Sequence, residues 1–183
     1  MPSWDGAITL QNISLFAGGA ANVQNKDWGA ILTWTFKDPP YLASGPEILE
    51  EMITAYHAGA KYVVVFNYAR DPETEEAYSI LKEEHYQAMQ DFWAYIHHYP
   101  KQHGQINGEV AYVLPQDYGW GMRHPEDSIW GQWQPDEKAP IIWENLNQLI
   151  TQYGLALDII YDAPRLNYQE KYSKIYSWNY TTN

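Results

Sequence analysis

Helix-like and strand-like segments alternate along this 183-residue chain. The class they predict is α/β, with parallel strands joined by crossover helices. Three observations carry it. The run Lys61-Tyr-Val-Val-Val-Phe-Asn67 is near-continuously apolar, the kind of strand buried on both faces of a parallel sheet. A helical pattern with capping-box spacing, opened by Ser44 and Glu47, stands in front of it. A second apolar run, Gly108-Glu-Val-Ala-Tyr-Val-Leu-Pro115, then restarts the cycle.

Taken in order, Ile8, Ile13, Leu15, Phe16, Ala20 and Val23 form an apolar stripe that predicts a helix from about Ile8 to Val23. Gly18-Gly19 falls inside it and reads as a close packing point instead of a phosphate cradle. Trp28 to Phe36 is short, apolar and rich in strand formers, and Asp38-Pro39-Pro40 ends it because proline cannot donate to a sheet ladder. The helix opened by Ser44 runs to about His57, and Gly59 suits a left-handed stop. After the Lys61–Asn67 strand, a helix from about Leu81 to His98 is expected to turn Leu81, His85, Met89, Phe92, Trp93 and Ile96 inward. Lys101 to Asn107 is polar and marks the boundary between segments 1–105 and 106–183. Beyond it come a strand at Glu109–Leu114, a helix from about Pro140 to Tyr153 stopped by Gly154, and strands at Leu155–Tyr161 and Tyr172–Trp178.

Lys and Arg total 11 against 23 Asp and Glu, a formal charge of −12. Such a surface repels phosphate backbones and anionic lipid, so neither nucleic acid nor a membrane is expected as a partner. No apolar run reaches the roughly 18 residues of a membrane span, and the N-terminus lacks the basic and apolar regions of a signal peptide. The chain reads as soluble, with its compartment open. The absence of cysteine removes disulfides, thiolate nucleophiles and Cys-type metal sites together. No HExxH or comparable ligand spacing occurs, and no P-loop, GxGxxG or GxSxG, so neither metal nor cofactor is expected.

In open α/β sheets, ligand-contacting residues lie just past the carboxyl ends of strands. Those positions here offer Trp34 and Asp38, then Asn67 and Tyr68, then the loop Gln116 to Pro135. The loop sets Tyr118, Trp120, Trp130 and Trp133 among three glycines and adds Asp117, Arg123, His124, Glu126 and Asp127. Flat aromatic faces beside planar hydrogen-bonding groups suit a sugar ring, and 9 Trp with 16 Tyr point the same way. Two readings of the loop stay open: its rings contact a ligand, or they form a lid over the end of a small core. For catalysis, glycoside hydrolysis needs two carboxyl groups about 5 to 9.5 Å apart. Asp38 and Asp117 are the local acids, but nothing in the sequence pairs them. Asn67 can orient a hydroxyl but cannot transfer a proton. His124 is the histidine to test.

The runs Lys26–Phe36, Pro39-Pro-Tyr41, Glu47–Ala58 and Gly59–Asn67, with Val110–Arg123 and Ile129-Trp-Gly131, resemble the C-terminal part of glycoside-hydrolase-like (β/α)8-barrel proteins of the beta-galactosidase type. In that arrangement the late barrel strands are followed by a flavodoxin-like domain. The resemblance implies a partial barrel-like segment over 1–105 and a flavodoxin-like βαβ segment over 106–183. It implies a glycoside hydrolase-like protein if the chain is active, with a carbohydrate ligand contacted by Trp34, Asn67, Tyr68, Asp117, Tyr118, Trp120 and Arg123. A closed barrel needs about 250 residues, so two βα units leave an open edge. The chain is then either part of a split hydrolase, or a homo-oligomer or partner chain completes that edge. No catalytic role passes to any residue, and a non-catalytic carbohydrate-binding or assembly module is the alternative.

Overall fold

The computed structural model describes residues 15–33, 43–66, 82–106, 108–121 and 124–181. It is a mixed α/β structure whose strands run parallel in two small open sheets. The chain divides into two units, Trp28–Gln105 and a second formed by Met1–Asp27 with Ile106–Asn183.

In the Trp28–Gln105 unit, β1 (Gly29–Thr33) pairs with β2 (Tyr62–Phe66), in register from Gly29 opposite Tyr62 to Thr33 opposite Phe66. The crossover between them contains α2 (Gly45–His57). Its capping box forms as the sequence predicts: Ser44 Oγ accepts from the Glu47 N–H, and Glu47 Oε2 accepts from the Ser44 N–H at 2.7 Å. Gly59 takes φ 89° at the stop, a conformation that favours glycine. Helix α3 (Glu83–His98) then locks onto the start of α2. Glu84 Oε2 accepts from the Gly45 N–H at 2.9 Å, and the His85 Nε2 lies 2.8 Å from the Ala43 carbonyl. The other His85 nitrogen, Nδ1, accepts from the Lys82 N–H at 3.2 Å, so Nε2 carries the proton and donates to Ala43. Gly45 is required at this crossing, because a Cβ there would sit 2.4 Å from the Glu84 carbonyl oxygen.

Two expectations fail in this unit. Strand β2 is not buried on both faces: its Tyr62 and Val64 are 59% and 50% exposed, and Ile31 of β1, opposite Val64, is 70% exposed. With side chains alternating along each strand, Ala30 and Leu32 are buried while the opposite face of the pair stays open to solvent. Trp93 is also exposed, not inward. The buried stripe of α3 runs through His85 and Ala88, and Trp93 lies off it, packing on His97 with ring centroids 4.4 Å apart.

In the other unit the strand order is β4-β3-β5, with β3 (Val110–Leu114), β4 (Leu157–Tyr161) and β5 (Lys174–Ser177) all parallel. Every residue of β3 is buried, as a central parallel strand requires. Val110, Tyr112 and Leu114 meet Leu157 and Ile159 on one face, against Ala139, Ile142, Leu146 and Leu149 of α4 (Lys138–Tyr153). Ala111, Val113 and Ile160 form the other face with Val23, Tyr168 and Tyr172. Burying each large aliphatic side chain contributes about 1.5–3 kcal/mol.

Residues 15–27 belong to the same unit as the C-terminal strands. A helix, α1, covers 15–24. Its Leu15 and Val23 join the two apolar clusters, and Asn22 Nδ2 donates to Asp158 of β4 at 2.9 Å. Gly19 rests on the β4 backbone, where a Cβ would come 2.6 Å from the Ile159 carbonyl oxygen. The glycine is the close packing point its position predicts. At the other edge, the Tyr112 hydroxyl and the Asn145 side-chain amide both donate to the Trp178 carbonyl at 2.9 Å, tying the segment after β5 to the core.

Candidate functional site

The loop after β3 begins with a strained turn. Asp117 is exposed at φ 56°, uncommon for a residue with a Cβ, and accepts from Gln116 Nε2 at 3.2 Å. Its charge also reaches the Tyr161 phenol at the end of β4, which burial first and Asp117 second push upward in pKa. Tyr161 donates to the Tyr118 carbonyl at 2.8 Å, so the two strand ends are joined.

Tyr118 and Trp120 both point into the core. Tyr118 donates its hydroxyl to Asp136 Oδ1 at 2.6 Å, and Trp120 packs edge-on to Trp143 of α4 with centroids 6.1 Å apart. The Trp120 indole N–H is buried without a hydrogen-bond partner among the described residues. Trp34, Asn67, Tyr68 and Arg123, with Asp38, lie outside the described residues.

The ring surface of the loop is carried instead by Trp130 and Trp133, 59% and 58% exposed. They sit on a closed turn in which Ile129 and Trp133 exchange backbone hydrogen bonds of 2.9 and 3.0 Å. Trp130 takes φ 53° and Gly131 φ 68°, and the Trp130 N–H donates to the Gly119 carbonyl at 2.6 Å. A bulky residue in the left-handed region stores strain, which the surrounding contacts must hold. Behind the turn, Asp127 is buried and lies 3.3 Å from the exposed His124 Nε2. Gly121 packs on that carboxyl group: a Cβ there would meet it at 2.6 Å.

Asp136 joins the loop to α4. It accepts from the Lys138 N–H and from Lys138 Nζ, each at 2.9 Å, besides Tyr118. Desolvation opposes its charge, yet the hydrogen bonds from Tyr118 and Lys138 prevail and hold its pKa below the usual value. The carboxylate thereby occupies the positive N-terminal end of α4. The Tyr118 phenol is pushed up, by desolvation first and Asp136 second.

Two carboxyl groups escaped sequence reasoning. Asp158 is buried within β4, where Asn22 Nδ2 and the Tyr172 hydroxyl donate to it at 2.9 and 2.8 Å. Desolvation outweighs both bonds and raises its pKa. The signal was a lone acid inside the apolar run Leu155–Tyr161. Glu51 on α2 is raised to about 7, by burial first and then by Glu47 and Glu50. Among the described residues, no group of three or more His, Asp or Glu gathers as a metal site, and no helix is long and apolar enough to cross a membrane.

No family model, curated protein or solved structure matches this chain.

Proposed function

We propose that this is a glycoside-hydrolase-related, carbohydrate-active protein that binds a glycan through the loop 116–135 and is not by itself a complete catalyst. The observation that carries the reading is the Trp130–Trp133 turn, two half-bare indoles held on a strained, hydrogen-bonded loop at a strand end. Rigid aromatic faces beside polar side chains fit the C–H faces and hydroxyls of a sugar ring, and bare indoles so placed favour contact with a ligand. Asp117, Gln132 and Gln134 supply polar groups in the same loop.

Strand order supports the location. An order β4-β3-β5 corresponds to the first three strands of a flavodoxin-like sheet, whose ligand crevice opens at the carboxyl ends beside the central strand. A phosphate-bearing cofactor fits less well than a neutral sugar. The α4 N-terminus, where a phosphate would bind, already holds the Asp136 carboxylate. Hydrolysis would need a second carboxyl across the scissile bond from Asp117, and the reading assigns none. The partial-barrel origin of the Trp28–Gln105 unit belongs to the same proposal, resting on the βαβ pair and the resemblance of its sequence.

The test is a glycan array with an aryl-glycoside screen, run on the native chain and on Trp130→Ala and Trp133→Ala. Glycan binding that both variants weaken, without turnover, is the expected result. A native chain that retains no glycan, or binding indifferent to both substitutions, would sink the reading. Turnover abolished by Asp117→Asn would replace it with an active hydrolase.

A second reading, an assembly module, is favoured by the bare apolar face of Ile31, Tyr62 and Val64. Two parallel strands normally form part of a larger sheet covered on both sides. A second copy or a separate chain would cover this one. Light scattering over a concentration series checks it, with Ile31→Glu expected to dissociate any self-assembly.

A further inference from the structure

Away from that loop, the end of α4 and the start of β5 bring three polar side chains together. The hydroxyls of Tyr153 and Tyr176 lie 2.9 Å apart, and Lys174 Nζ donates to the Tyr153 hydroxyl at 3.2 Å. The same ammonium stands 4.8 Å over the Tyr176 ring and 5.9 Å from the centre of the Tyr153 ring. Tyr176 in turn packs on Tyr180 at 4.7 Å. Lys174 has no carboxylate ion pair among the described residues, although the chain carries 23 acids. Its charge is directed at phenol oxygen instead.

We propose that Tyr153 is an activated phenol, a site of covalent O-acylation by activated acyl donors. A phenol attacks through its phenolate, and the two neighbours both stabilise that form: Tyr176 by hydrogen bonding, Lys174 by hydrogen bonding and charge. The direction of titration agrees, since Tyr153 is held below the ordinary phenol value by Tyr176 first and Lys174 second. Tyr180, facing the cluster from beyond β5, is pushed up, by burial first and then by the charge of Tyr176 and Tyr153. Tyr153 lies partly open to solvent at the helix end, so a donor can reach it.

In the reaction the phenolate oxygen attacks the acyl carbon, an O–C ester bond forms, and the bond from that carbon to its leaving group breaks. The leaving group departs with the electron pair and takes up the proton that the phenol has lost. Lys174 keeps its ammonium charge beside the reacting oxygen throughout.

N-acetylimidazole tests this on the intact chain, with imidazole as leaving group and acetylated tyrosines mapped by mass spectrometry. Hydroxylamine reverses phenol esters but not lysine amides, which separates Tyr153 from Lys174. Tyr153 is expected to acetylate several-fold faster than the more exposed Tyr62, Tyr86 and Tyr99, with a pH–rate profile displaced toward lower pH. Lys174→Met and Tyr176→Phe should each slow Tyr153 and leave the other three unchanged. Reaction of Tyr153 at or below the rate of those three, or a Tyr153 rate that neither variant moves, overturns the proposal. The readout involves no glycan, so it stands or falls apart from the loop.

Discussion

The indole of Trp130 lies against Gly119, so that a Cβ at position 119 would come 2.2 Å from the ring. Glycine is therefore what allows the indole to lie down on the loop, and the Trp130 N–H bond to the Gly119 carbonyl fixes the pose. Gly119→Ala should lift the ring from its seat at a cost of about 1–3 kcal/mol, the usual penalty of overpacking. Tryptophan fluorescence with acrylamide quenching reads the change, and thermal unfolding reads the cost. If the loop binds glycan as proposed, binding falls with the ring. Unchanged quenching in the variant would show that the pose depends on something else.

Asp136 couples the loop to α4, and pH should expose that coupling. Its folded pKa is depressed, so its contribution is present above the unfolded value and is lost as pH falls through the folded one. Asp136→Asn should therefore destabilise the protein at neutral pH by about 0.5–1 kcal/mol, a small value because the pair is partly exposed. At strongly acid pH the variant and the native chain should converge. Melting temperatures across the acid range check this, and a constant gap at every pH would refute it.

What the sequence disclosed follows from how local each signal is. The Ser44–Glu47 cap and the Gly59 stop depend on side chains three residues apart or on one dihedral, so spacing alone revealed them. Strand β3 was legible because a central strand shows its burial as an unbroken apolar run. Strand β2 carries the same run with one face bare, and no pattern within a strand shows how much of a sheet lies around it. Site residues were harder still. Trp120, Trp130 and Trp133 look alike as letters, and only the bridge between Trp120 and Ile129, with the turn closed by Ile129 and Trp133, separates the buried ring from the exposed pair. The Tyr153–Lys174–Tyr176 cluster joins residues 21 and 23 positions apart, beyond any motif.

His85 is the pin between α2 and α3, bonded to Ala43 on one side and to the Lys82 N–H on the other. His85→Ala removes a fully buried ring and strips the Ala43 carbonyl of its donor. The expected loss is about 2–4 kcal/mol, combining a cavity with an unsatisfied polar group. Hydrogen exchange should show the start of α2 opening first, since its Gly45 N–H depends on Glu84 beside the pin. Uniform exchange across α2 would mean that the two helices are held elsewhere.

Glu51 gives the pH dependence of opposite sign. Burial, with Glu47 and Glu50 nearby, raises its pKa from 4.5 to about 7, so the folded state prefers it protonated. A raised folded value means that its favourable contribution is complete below pH 4.5 and is lost as pH rises to about 7. Glu51→Gln keeps the shape and removes the charge. It should stabilise the protein at pH 8 by about 1–2 kcal/mol, after allowing for solvent screening of a half-buried group, and change little at pH 4. Urea midpoints at the two pH values measure the difference. An equal gain at both would mean that amide packing, not removal of a buried charge, is responsible. A loss at pH 8 would mean that Glu51 is ionised to advantage, with a cation close enough to reverse the effect of burial.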